Sequence, residues 1–282
     1  MIMRSVKSSA KACNRIAARL ALVTVIAVQS LAAAWVQEPV QPRIDEEFGK
    51  QEKIYHRHGK ASYIANRGLS NYAEVLPKGF CDALGSLNGS DRWLDIGAGS
   101  GQAILDYYAP QDNSASRKTC SGTGGKVRAV ALSIEDRRTD QWRDLAASLR
   151  DERLKYFSGK RLREYSPEEL GKFQMITDVF GGFSYTEHLY QFVDKVLSLL
   201  EVGGEFYTLV PGVHLEDGKD KLGILYLTEL EDAAGRPEKV CSWLKKTACA
   251  EVTCESKHDW KRPTELIKIR RVCSDTSVPR MV

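Results

Sequence analysis

Four residues in one short stretch, Asp95, Gly97, Gly99 and Gly101, combine a carboxylate with a run of bare backbone. The carboxylate can accept hydrogen bonds from an amine or hydroxyls. The glycines let a ligand lie against main-chain N–H groups, at the positive end of the helix that follows. A second group lies in Thr177-Asp-Val-Phe-Gly-Gly-Phe-Ser-Tyr-Thr-Glu-His188. There Asp178, Tyr185 and His188 offer a base or a hydrogen-bonding surface beside the flexible pair Gly181-Gly182. The plain alternatives are that Asp178 braces its loop, Tyr185 packs, and His188 begins a helix.

These residues need a scaffold that brings strand ends together. Trp93–Ile96 is a short apolar run that reads as a buried strand and turns through the glycines into a helix. Val127–Ser133, Leu154–Phe157, Phe173–Val179 and Phe206–Val210 read as further strands. A helix is expected over Arg138–Arg150, with Trp142, Leu145, Ala146 and Leu149 at helical spacing. Another is expected over His188–Leu200, with Leu189, Phe192, Val193, Val196, Leu197 and Leu200 on one face, stopping at Gly203-Gly204. Strands alternating with helices imply parallel pairing, right-handed crossovers and ligands beyond the carboxyl ends of the strands. Residues 214–272 are expected to hold a helix, a cysteine cluster and a last strand, Glu265–Val272.

The glycine spacing separates two nucleotide-binding patterns. A dinucleotide fingerprint is G-x-G-x-x-G. Here Asp95-Ile-Gly97-Ala-Gly99-Ser-Gly101 runs G-x-G-x-G with an acid two residues ahead. It resembles motif I of class I S-adenosylmethionine-dependent methyltransferases. Leu197-Ser-Leu-Leu-Glu-Val-Gly-Gly-Glu-Phe206 resembles that family's step into strand five, and the likeness covers roughly Leu69–Val272. The resemblance implies an α/β, Rossmann-like fold: a mostly parallel seven-stranded sheet with helices on both faces. It implies S-adenosyl-L-methionine as cofactor, held by Asp95, Gly97, Gly99 and Gly101, and transfer of its methyl group to an acceptor facing Asp178, Tyr185 and His188. The end of strand two in that family carries an acid for the ribose. Ala131 stands there, with Glu135 and Asp136 close behind, so Glu135 is the candidate substitute. Gly159-Lys160 and Phe173-Gln174 likewise replace acidic positions. Each missing carboxylate removes hydrogen bonds of about 1.5–3 kcal/mol. A non-catalytic binding protein on the same fold is therefore the alternative.

The N-terminus points outside the cytosol. Arg4, Lys7, Lys11, Arg15 and Arg19 precede the apolar run Leu20–Leu31, and Ala32-Ala33-Ala34 offers a cleavage site before Trp35. This is a signal-peptide layout, with an uncleaved anchor, a transit peptide or a mis-assigned start as alternatives. Three segments follow: residues 1–34 as signal, 35–68 as a helical extension containing Tyr55-His-Arg-His58, and 69–282 as the catalytic domain. The whole chain has 41 basic and 37 acidic side chains, net +4. Without residues 1–34 and their five basic groups the balance is 36 against 37. That leaves no nucleic-acid footprint. The expected partner is a small-molecule or lipid acceptor, with membrane contact only through the N-terminal segment.

Seven cysteines are present, and Cys13 lies in the signal. The other six, Cys81, Cys120, Cys241, Cys249, Cys254 and Cys273, suit disulfides in an exported protein. Local pairing is expected within the last four, Cys81 and Cys120 flank motif I as a candidate pair across it, and the connectivity is left open by the sequence. Zinc lacks a C-x-x-C pair, and free buried thiols are the remaining alternative.

Overall fold

A computed structural model describes residues 64–108, 120, 125–149, 153–186, 189–211, 230–231, 237–257 and 264–280. All of these fall within one compact unit, Val40–Val282. The signal-peptide reading, the Tyr55–His58 helix and the Ser/Gly-rich stretch before Gly125, save Cys120, lie outside the described residues.

Two short helices, α1 (Leu69–Val75) and α2 (Phe80–Ser86), lead into β1 (Arg92–Ile96). Then come α3 (Gln102–Tyr108), β2 (Arg128–Leu132), α4 (Asp140–Ser148) and β3 (Leu154–Phe157). A 3-10 turn (Leu162–Glu164) and α5 (Pro167–Leu170) precede β4 (Phe173–Asp178), α6 (Gly182–Tyr185) and α7 (Leu189–Leu199). The chain continues with β5 (Leu200–Pro211), a small hairpin of β6 (Leu230–Glu231) and β7 (Pro237–Glu238), and α8 (Val240–Leu244). It closes with β8 (Ala250–Lys257) and β9 (Thr264–Arg271).

Seven strands form one sheet in the order β3-β2-β1-β4-β5-β9-β8. The first five pair in parallel, and β9 runs antiparallel to both β5 and β8. The strand alternation puts two cores on opposite faces. Leu94, Ile96, Val130, Leu132 and Ile176 pack with Val193, Val196, Leu197 and Trp243. Trp93, Ala129, Ala131 and Met175 pack with Leu69, Phe80, Ile104 and Trp142. Helices α1–α4 thus cover one face and the remaining long helix, α7, covers the other. Thr139 caps α4 by accepting the Trp142 N–H at 3.3 Å.

Two expectations need correction. Gly203-Gly204 does not end the helix: α7 stops at Leu199, and both glycines lie inside β5. The register with β4 shifts between Phe173 and Met175, and Gly203 (φ +89°) sits in that irregularity. The second correction is β8, where a strand was not anticipated. Its burial alternates along Ala-Glu-Val-Thr-Cys-Glu-Ser-Lys, a sheet-edge pattern that the cysteine cluster masked.

Three disulfides join Cys81 to Cys120, Cys241 to Cys254, and Cys249 to Cys273. The last two tie α8 to β8 and the start of β8 to the end of β9. Arg271, on β9, is buried without a carboxylate. It donates to the carbonyls of Leu197 (3.2 Å), Leu200 (2.6 Å), Cys273 (3.0 Å) and Ser274 (2.6 Å). It therefore closes the carboxyl end of α7, where orphan carbonyls and the helix dipole favour a cation.

Candidate functional site

The carboxyl ends of β1 and β4 meet at the glycine turn. The sharp reversal after Ile96 needs left-handed backbone, and Gly97 and Gly99 take φ +72° and +56°. A Cβ on Gly97 would stand 2.4 Å from the Gly181 Cα, so the loops after β1 and β4 touch through bare backbone. Gly181 thus approaches the glycine turn itself. A Cβ on Gly101 would strike the Trp142 ring at 2.3 Å.

The N–H groups expected to be bare are largely partnered within the protein. Gly97 and Ala98 both donate to the Leu132 carbonyl, at 2.8 and 3.1 Å. Ser100 N–H donates to the Ala65 carbonyl at 2.7 Å. The Ser100 hydroxyl differs: it is buried and has no hydrogen-bond partner.

Asp95 is fully buried on β1. It accepts from the Tyr72 hydroxyl on both oxygens at 3.0 Å and from Thr177 Oγ1 on Oδ1 at 2.8 Å. Thr177 in turn accepts from Trp93 Nε1 at 2.8 Å. Burial outweighs these donors and lifts the Asp95 carboxyl to about 7, and the nearby Asp178 adds to the rise. The same contact, after burial itself, pushes the Tyr72 hydroxyl well above its ordinary range.

Asp178 ends β4, also fully buried, and accepts from the N–H groups of Gly181 and Phe183, each at 2.9 Å. It braces the turn into α6. Burial raises it to about 7 despite those donors. Next to it, Phe180 holds a left-handed conformation (φ +54°), a strained state for a side chain of its size. The Arg67 guanidinium lies 4.7 Å from the Phe180 ring centroid. Tyr185 closes α6, and His188 lies outside the described residues.

On the other side of the turn, Ala131 is buried opposite Asp95. Glu135 and Asp136 are engaged in ion pairs, with Arg137 at 2.7 Å and Arg138 at 2.5 Å. Sequence reasoning missed Tyr156. Its hydroxyl donates to the carbonyls of Gly99 (2.6 Å) and Glu135 (3.1 Å), and it accepts from Arg137 N–H at 3.2 Å. Tyr156 therefore stitches the glycine turn to the loop after β2, and its ring packs edge-on to Trp142. No pattern at a strand-end tyrosine signals this. Tyr72 was missed for the same reason, since its partner lies 23 residues away.

The strand order, the antiparallel β9 and the acid–glycine turn at the end of the first strand occur together. The fold is Rossmann-like: a mostly parallel seven-stranded sheet with an antiparallel edge and helices on both faces. No family model matches the chain, and no curated protein matches it. Solved structures that resemble it include methyltransferases. An rRNA methylase from Streptococcus thermophilus is 11% identical with a TM-score of 0.42, the match covering 68% of this chain and 94% of that one. A precorrin-6y C5,15-methyltransferase from Geobacter metallireducens is 14% identical with a TM-score of 0.41, covering 75% and 92%. A 1,6-didemethyltoxoflavin-N1-methyltransferase from Burkholderia thailandensis, solved with S-adenosylhomocysteine, is 14% identical with a TM-score of 0.39, covering 95% and 94%.

Among the described residues no group of three or more His, Cys, Asp or Glu side chains comes together as a metal site. What the fold does bring together at the glycine turn is an unpaired buried hydroxyl, Ser100, and closely packed main chain, with Asp95 already engaged by Tyr72 and Thr177. The Ser100 hydroxyl keeps hydrogen-bonding capacity for a polar ligand group such as the amino-acid end of S-adenosylmethionine.

Proposed function

We propose that the protein is an S-adenosylmethionine-dependent methyltransferase acting on a small-molecule or lipid acceptor. The observation that carries this reading is the orphaned Ser100 hydroxyl, buried inside an acid–glycine turn at the carboxyl end of β1. A buried hydroxyl without a partner is costly, and a polar ligand group at the turn would relieve it.

In this reading the Ser100 hydroxyl holds the amino-acid end of the cofactor against the Gly97–Gly101 turn, and Asp95 fixes the strand end beneath it. When bound, the cofactor supplies an electrophilic methyl group on a sulfonium. Methyl transfer is an in-line displacement, so the site's main contribution is alignment and exclusion of water. Asp178 serves by holding the Gly181–Phe183 turn in place. Tyr185 and His188 come next in the chain as the acceptor-side candidates, and where the nucleophile is protonated the base is His188 or Asp178. Glu135 reaches the ribose only if its pair with Arg137 opens.

The test is calorimetric titration of the purified protein with S-adenosylmethionine and S-adenosylhomocysteine, wild type beside Ser100→Ala. Removing an unsatisfied hydroxyl should leave thermal stability unchanged or slightly raised. Losing one ligand hydrogen bond of about 1 kcal/mol should weaken affinity roughly fivefold. No binding by the wild type would sink the reading, and binding without any methyl transfer would return the protein to the non-catalytic alternative.

Export belongs to the same proposal. Three disulfides support an oxidising compartment, in keeping with a signal peptide cleaved after Ala34.

A further inference from the structure

The stretch of chain just before α1 lies across the glycine turn. The Ala65 carbonyl takes the Ser100 N–H at 2.7 Å. A Cβ on Gly99 would stand 2.1 Å from that same oxygen, so the Ala65 backbone rests directly on the bare Gly99 Cα. Arg67 lies over the ring of Phe180, on the far side of the site. The segment is anchored where it enters α1. Leu69 N–H donates to Asp106 Oδ2 on α3 at 2.9 Å, and Asp106 is itself held by Gln102. One turn further on, Tyr72 donates to both oxygens of Asp95. With this cover in place Ala98 and Ser100 are only 6% and 7% exposed.

The cover is incomplete in one respect. It satisfies the Ser100 N–H and leaves the Ser100 hydroxyl beneath it without a partner. Protein backbone here sits where a ligand of the turn would sit, without meeting all of the turn's polar groups. One N–H cannot point at both the Ala65 carbonyl and a ligand atom.

We propose that residues 64–68 are a strap closed over the glycine turn, held down by the Tyr72–Asp95 bond at its base, and that ligand binds only after the strap lifts. The ligand's identity rests on the reading above; the opening of the strap does not. Tyr72 is a positioning residue in this scheme. It fixes α1 against β1, and through α1 the strap, and Arg67 clamps the strap onto Phe180 just ahead of α1.

Amide hydrogen exchange on the full chain, without ligand, tests the strap itself. The wild-type Ser100 amide should be protected. Tyr72→Phe and Arg67→Ala should each speed its exchange at least tenfold while Leu94 and Val130 keep wild-type rates. Thr177→Val removes the other donor to Asp95 without touching the strap, and Ser100 should stay protected in it. Unchanged Ser100 exchange in both Tyr72→Phe and Arg67→Ala overturns the proposal. So does equal acceleration in Thr177→Val, which would mean general loosening around Asp95. Stopped-flow binding of S-adenosylhomocysteine gives the second readout. The observed rate should level off with rising ligand in the wild type and level off higher in Tyr72→Phe. A rate that climbs linearly in the wild type overturns the gate. No binding at all overturns the ligand assignment, and the exchange result then still decides the strap.

Discussion

Asp95 and Asp178 show how one residue type takes different duties from its surroundings. Both are buried carboxyls at neighbouring strand ends, and burial raises both to about 7. The ordinary value is 3.8. Between about pH 4 and pH 7 the folded chain holds a proton on Asp95 that the unfolded chain has released. Stability therefore falls as pH rises through that window, and the loss is complete above pH 7. Asp178 contributes in the same direction. In Asp95→Asn the side chain keeps its size and an acceptor for Tyr72 but cannot ionise. The drop in melting temperature between pH 5 and pH 8 should shrink in this variant, as followed by circular dichroism. A drop equal to the wild type's would show that Asp95 titrates normally despite its burial.

At the scale of elements, the junction of α7 with β5 and β9 is the least conventional part of the sheet. A helix end usually finds a glycine, and here it finds a buried cation. Arg271 satisfies carbonyls at Leu197 and Leu200 from α7 and β5, and at Cys273 and Ser274 beyond its own strand. Replacing it with Met preserves much of the volume and orphans four carbonyls at once. Hydrogen bonds from a charged donor are each worth about 1.5–3 kcal/mol, but rearrangement and water recover part of that. Arg271→Met should therefore destabilise the fold by about 3 kcal/mol in urea denaturation, with an unchanged slope. A change below about 0.5 kcal/mol would mean that water replaces the guanidinium fully.

For the whole molecule, two of the three disulfides tie down the sheet's antiparallel edge. The two C-terminal bridges close loops of 13 and 24 residues, and the Cys81–Cys120 bridge closes one of 39. Loops of such lengths are worth about 2–4 kcal/mol each. Labelling denatured, unreduced protein should find no reactive thiol at these six positions, and reduction should lower the melting temperature by at least 10 °C. N-terminal sequencing of the same material from its host should begin at Trp35. Six free thiols, or an intact Met1, would place the chain in a reducing compartment and remove the support for export.

The strand–helix alternation, the α7 face and the acid–glycine turn were legible in the sequence because periodicity and backbone demands are local. Residues that bury at every second or fourth position declare their element, and a turn needing positive φ declares its glycines. Cys81 and Cys120, a candidate pair from their place on either side of the turn, are joined in the structure. The edge strand β8 was not legible, because its segment reads only as part of the cysteine cluster. The partners of the site residues lay beyond any local pattern. Tyr72 meets Asp95 because α1 folds back over β1, and Tyr156 meets Gly99 because β3 and β1 both end at the same rim. Ala65 meets Ser100 because the chain before α1 crosses the turn it precedes by some thirty residues. The amino-acid sequence by itself determined most of the elements and that a glycine-rich turn follows β1. Only the tertiary structure decided that the turn is covered by its own chain and that its acid is spoken for, because hydrogen-bond partners are set by which strand ends converge, and that is a property of the assembled sheet.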